Sequence, residues 1–224
     1  MMHVFLTDNR TELIARCKAK VGMRPHRAAT DVQLAHGVPA FLGQLTRTLR
    51  AEEMGEAGES LRISGASGGG ASAVSEMGVS AAVHGKVLLD LGFSVDQVVH
   101  DYGDLCQAIT ELAVERDAPF AVAEFRTLNR CLDNAIADAV TEFGLYRDIT
   151  VAQKQAAELN EHVGVLVHEF RNSLNTATLA FTALESGKLP VGGSTGAVLK
   201  RSLASLTALV NRSLMEDAPR RARN

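Results

Sequence analysis

From Ile149 onward the apolar positions fall three and four residues apart: Ile149, Ala152, Ala156, Leu159, Val163, Leu166 and Phe170. That spacing is a heptad seam, the pattern of helices that wrap around one another. It weakens at Ser173 and resumes at Ala177, Ala180 and Leu184, with a second stripe beside it at Val167, Leu174 and Phe181. A two-stranded coil uses only the a and d positions, whereas this wider a, d and e face suits a helix in a four-helix bundle. The pattern therefore predicts a linking coil that opens into a bundle. "ESGKLPVGGSTG" ends that helix: Gly187 is placed for a C-terminal cap, Pro190 forbids continuation, and Ser194 or Thr195 can cap the next helix. That last helix presents Leu199, Leu203, Leu206, Val210 and Leu214 on one face. A hairpin with one apolar face per arm cannot bury both faces alone. Pairing with a second copy, as a homodimeric four-helix bundle, is the economical expectation.

Helical spacing also dominates upstream. Asn9, with Glu12 three residues later, is a candidate cap for a short helix through "TELIARCKAKV". A second helix is expected over roughly Ala28 to Met54, with Pro39 able to break or bend it. The stretch from Gly55 to Gly78 is rich in Gly, Ser and Ala. Its Gly68 to Gly70 run lacks the Lys-Ser/Thr pair and preceding strand of a phosphate loop, so it reads as an inter-helix loop. "VSAAVHGKVLLDLG" predicts a helix stopping at Gly92. "FSVDQV" then predicts a new start, with Ser94 and Gln97 as a capping box and Phe93 and Val98 as a hydrophobic staple. The helix behind it should bury Val95, Val98, Val99, Tyr102, Leu105, Cys106, Ile109 and Leu112. Another should run through Val122, Phe125, Leu128, Leu132, Ile136, Ala139 and Phe143. No segment has strand periodicity. The expected class is all-α. Residues 1–148 form a helical N-terminal domain, 149–217 a linker helix and hairpin, and 218–224 a tail.

Composition sharpens this only in part. The 224 residues are 46% hydrophobic but only 4% aromatic, without Trp, a balance that favours helix packing. A net charge of −3 gives no basic field for nucleic acid. Cys17, Cys106 and Cys131 are far apart and odd in number, as expected of buried thiols in a reducing compartment. No apolar run reaches the ~20 residues needed to span a bilayer, and no signal pattern opens the chain, so a cytoplasmic location is expected without membrane partners.

The chemistry-bearing stretch is "LVHEFRNSLNTATLAFTALESG", Leu166 to Gly187. With Val163 and Phe170 at heptad position a, His168 falls at f and should face outward. Glu169 sits at the rim, and Asn172 lies one turn beyond His168 on the same side. An exposed imidazole can attack a phosphoryl group through its neutral nitrogen when a neighbour orients it and accepts the other proton. Glu169 suits that general-base role. Arg171 adds positive charge nearby. On position alone, a histidine at f is an ordinary surface residue.

"HEFRNSL" resembles the H-box of two-component sensor histidine kinases, and "VLKRSLASLTALVNRSL" is similar to the second helix of that family's dimerisation hairpin. The resemblance spans roughly Val151 to Leu214. It implies that His168 is the phosphoacceptor, Glu169 the acid/base helper, and Asn172 the residue assisting dephosphorylation or transfer to a response-regulator receiver domain. The family's usual Pro, five residues after the His, is Ser173 here, which implies a weaker helix bend. The N-terminal half, roughly Arg10 to Phe143, resembles the RsbRD-type helical domain of bacterial stress regulators and soluble kinases. His36, His84 and His100 match no defensible metal or haem spacing, so structural histidines are expected, with no metal or cofactor in this chain.

About ten residues follow Leu214, too few for the ATP-binding kinase domain that this chemistry needs. ATP and Mg are therefore expected to enter through a kinase domain in cis or in trans, to a fragment or to a protein phosphorylated by another kinase. Two alternatives stand beside the sensor-kinase reading. One is a stand-alone histidine phosphotransfer protein, the other a non-catalytic helical scaffold of a stress-signalling complex.

Overall fold

The computed structural model describes residues 1–23, 37–68, 75–187 and 190–221, with side chains described as far as Ser213. The helices are α1 (Met2–Asp8), α2 (Arg10–Gly22), α3 (Val38–Glu53), α4 (Ala57–Ser64), α5 (Glu76–Asp90), α6 (Val95–Glu115), α7 (Val122–Glu185) and α8 (Ser194–Arg221). Among the described residues there is no strand, and the fold is all-α. No helix among them is long and apolar enough to cross a membrane. The chain divides into two compact units, Met1–Thr150 and Val151–Asn224.

In the first unit α3 is the hub and packs against α1, α2, α4, α5 and α6. Its Phe41, Leu42, Leu45 and Leu49 are buried at the 3-4 spacing of one helix face. The same core takes Met2 and Leu6 from α1, Leu13 and Cys17 from α2, and Leu105, Ile109 and Leu112 from α6. From α7 it takes Leu128, Cys131, Ala135, Ala139 and Phe143. The Glu52 carboxylate ties α3 to α4 and α7 by accepting from Ser60 Oγ, Thr127 Oγ1 and the Arg130 guanidinium. Asn134 extends this clasp by donating to Ser64 O at 2.8 Å and Ala66 O at 2.9 Å, which pairs carbonyls at the end of α4.

Local signals at α5 and α6 behave as expected. Gly92 adopts φ 79° and Phe93 N–H reaches back to Leu88 O at 2.9 Å, closing α5 with a left-handed cap. Ser94 N–H then donates to Gln97 Oε1 at 2.9 Å, and Val98 is fully buried behind it. Pro39 lies in the first turn of α3, where its missing N–H costs nothing, so it starts the helix instead of bending it. The expected portion from Ala28 to His36 lies outside the described residues, as do Gly69 and Gly70 of the glycine run.

Three expectations need correction. Asn9 does not cap α2 with its side chain: Nδ2 donates backward to Phe5 O at 2.8 Å, at the end of α1, while Oδ1 accepts from Arg116. Val95 and Val99 are exposed because the α6 face turned to the core is Val98, Tyr102, Leu105 and Ile109. The stretch from Gly55 to Gly78 is not all loop: it holds α4 over Ala57–Ser64 and the start of α5 at Glu76.

In the second unit, the α7 side chains most withdrawn from solvent are Ala177 and Ala180, and those of α8 are Ser202 and Leu209. Small residues on both arms suit a close helix–helix approach. The α8 face expected to be apolar and buried is split: Leu199 and Leu206 are partly covered, whereas Leu203 and Val210 are exposed. Side chains from Leu214 onward lie outside the described residues.

Candidate functional site

The cluster lies on an uninterrupted stretch of α7, which continues through Ser173 to Glu185. His168, Glu169, Arg171 and Asn172 are all exposed, as are Val163 and Phe170 of the expected seam in this single chain. His168 and Asn172 are four residues apart and share one side of the helix. Their side chains make no hydrogen bond or ion pair with the described residues.

Glu169 differs from its neighbours. Its Oε2 accepts from Arg212 Nη2 on α8 at 3.0 Å, an ion pair with both partners about half exposed. Arg212 is the member of the cluster that sequence reasoning missed. It lies 43 positions from Glu169, and only the antiparallel register of the hairpin brings the two together. Beside the pair runs an apolar groove of about 300 Å³ lined by Leu166, Val167, Phe170, Leu209, Val210 and Ser213. The residues that bracket His168 and Glu169 in sequence thus form one wall of the groove, and those that bracket Arg212 form part of the other.

The chemistry available here is that of an accessible imidazole with a carboxylate and a carboxamide on the same helix and a guanidinium across the hairpin. Neutral imidazole nitrogen is a competent nucleophile toward phosphorus, and a neighbouring carboxylate can take the ring proton.

The other reactive side chains in the chain are placed differently. Burial pushes the Cys17 and Cys131 thiols up to about 12, which makes them inert as nucleophiles at neutral pH. His84 is buried in the first unit, edge-on to Tyr102 with ring centroids 6.0 Å apart, and its ring lies against Gly37. The two cavities beside it are about 10 Å³ each, room for one water apiece. His100 is exposed, so it and His84 do not converge, and His36 lies outside the described residues. Among the described residues no group of three or more His, Cys, Asp or Glu is arranged to hold a metal ion.

No family model, curated protein or solved structure matches this chain.

Proposed function

We propose that the chain is the sensory and dimerisation/phosphotransfer portion of a cytoplasmic two-component sensor histidine kinase, with His168 as its phosphoacceptor. The observation that carries this reading is the exposure of His168 beside Glu169 and Asn172 on a helix whose remaining faces are striped for packing. Phosphotransfer needs such a platform, because positioning supplies much of the catalysis.

One imidazole nitrogen of His168 attacks the terminal phosphorus of the donor. The bond from phosphorus to the leaving oxygen breaks, and the leaving group departs with that electron pair. Glu169 accepts the proton shed by the other ring nitrogen. In the second step a receiver-domain aspartate oxygen attacks the same phosphorus, the electron pair of the breaking P–N bond returns to the imidazole, and Glu169 gives its proton back to the ring. Asn172, one turn along, is placed to hydrogen-bond the phosphoryl group or an attacking water. ATP and magnesium come with an ATP-binding kinase domain in cis or in trans.

Dimerisation belongs to the same reading. Every residue from 151 to 165 is exposed in the single chain, although an isolated helix of that length is marginal in water. Phe170, Val167, Leu174 and Phe181 on α7, with Leu203 and Val210 on α8, are about half exposed or more. A second copy of the hairpin offers the same stripes in return and would bury both sets, giving the isologous contact of a two-fold dimer.

The test is transfer. The full chain is loaded with phosphoramidate, a small donor that phosphorylates imidazoles directly, and then mixed with receiver domains encoded beside its gene. Loss of phosphate from His168 with matching gain on a receiver aspartate is the expected result. Loading of His168 without transfer to any of them would favour the scaffold reading.

A further inference from the structure

The proton acceptor assigned to His168 is held from the opposite arm of the hairpin. Arg212 Nη2 lies 3.0 Å from Glu169 Oε2, an ion pair that joins α7 to α8. Both side chains are long. Glu169 alone would sample many rotamers about an exposed helix position, so a charge-assisted contact from a fixed point on α8 restricts where its carboxylate can lie. The arrangement holds Oε2 and leaves Oε1 with no protein partner among the described residues. The flanking groove shows the same register: Leu166, Val167 and Phe170 line it from α7 and Leu209, Val210 and Ser213 from α8, with Glu169 and Arg212 lying within those two sets in sequence.

We infer that Arg212 is a positioning residue for the phosphoacceptor, orienting Glu169 toward the His168 ring and making that orientation depend on the register of α8 against α7. This inference rests on His168 being the phosphoacceptor and Glu169 its base. It adds a regulatory consequence: a slide or rotation of α8 that separates Arg212 from Glu169 slows phosphoryl capture without touching the imidazole. Because the pair is exposed, its effect is modest and salt-sensitive.

The experiment uses the full chain and phosphoramidate, reading phosphoryl occupancy at His168 by peptide mapping at neutral pH relative to N-acetylhistidine added to the same reaction as the reference imidazole. Arg212→Ala should lower the ratio of the His168 rate to the reference rate by roughly two- to fivefold, the scale of an exposed ion pair. Arg212→Lys should recover part of the loss. In the Glu169→Gln background, Arg212→Ala should have no further effect. Raising salt to about 1 M, where the Debye length is ~3 Å, should bring the wild-type ratio down toward that of Arg212→Ala. Circular dichroism and light scattering should show unchanged helicity and assembly in each variant.

The outcomes separate the inference from its basis. If wild-type His168 loads no faster than the reference imidazole, the phosphoacceptor reading fails and the role of Arg212 falls with it. If His168 loads preferentially and depends on Glu169 but Arg212→Ala changes nothing, the inference alone is overturned. An Arg212→Ala loss that persists undiminished in the Glu169→Gln background also overturns it, since Arg212 would then act by another route.

Discussion

A Cβ placed on Gly85 of α5 would fall inside the carbonyl oxygen of Ala139 on α7 and 3.0 Å from its carbonyl carbon. The two helices approach so closely here that only glycine fits. Gly85→Ala should therefore destabilise the first unit by about 1–3 kcal/mol through overpacking, despite the better helix propensity of alanine. Gly103 on α6 is the control, because a Cβ added there would meet nothing within 4 Å. Gly103→Ala should stabilise by roughly 0.5–1 kcal/mol. Urea midpoints of the two variants should move in opposite directions; a shift in the same direction would contradict the α5–α7 approach.

Asp138 predicts a pH dependence. Burial raises its carboxyl above the ordinary aspartate value. The unfolded carboxyl ionises near pH ~3.9, before the folded one, so folding carries a penalty that is absent at lower pH. That penalty grows as pH rises and is complete above the folded pKa. Asp138→Asn should accordingly be more stable than wild type at pH 7, with the gap narrowing toward pH 4. Glu76 and Glu115 run the other way. Hydrogen bonds from Arg47 and Arg16 hold them below the usual carboxylate range, so their contribution is present above pH ~4.3 and is lost on acidification through their lowered pKa values. A gap between Asp138→Asn and wild type that stays constant from pH 7 to pH 4 would refute the burial effect.

Phe170 tests the dimer. It is 43% exposed in the single chain and lines the apolar groove, so the proposed second copy would have to cover it. Phe170→Asp should place a charge in the dimer contact and cost on the order of 2–5 kcal/mol of association. Light scattering should then report monomer at concentrations where wild type is dimeric, while the urea midpoint of the first unit is unchanged. Wild type that is itself monomeric would remove the second copy from the account.

How much of this was legible in the sequence depends on whether the information was local. The Gly92 stop and the Ser94–Gln97 start were readable because each is set within five or six residues. Heptad phase put His168 outside, and it is exposed, but so are Val163 and Phe170 of the seam in the single chain. α1 was missed because Met2–Asp8 is too short to display a period; Asn9 does stand at the start of α2, but its side-chain amide bonds Phe5 O at the end of α1. Val95 and Val99 have apolar side chains at plausible spacing, but rotation of α6 against α3 decides which stripe faces the core, and no single-helix pattern carries that rotation. The same limit hid the division of α8 into covered Leu206 and Leu209 and open Leu203 and Val210. Arg212 was invisible for the plainest reason: its partner is on the other arm of the hairpin.

The most direct test of the central claim is the location and stability of the phosphate on the loaded chain. Peptide mapping at neutral pH should place it on His168, as an adduct labile in acid and stable in base, the behaviour of a phosphoimidazole. His168→Gln should abolish that adduct with helicity and assembly intact, and Glu169→Gln should slow its formation, on the order of 10²–10⁴-fold with the natural donor if it is the general base. Phosphate on Ser173, or an acid-labile adduct that survives unchanged in His168→Gln, would contradict the account and leave the helical scaffold in its place.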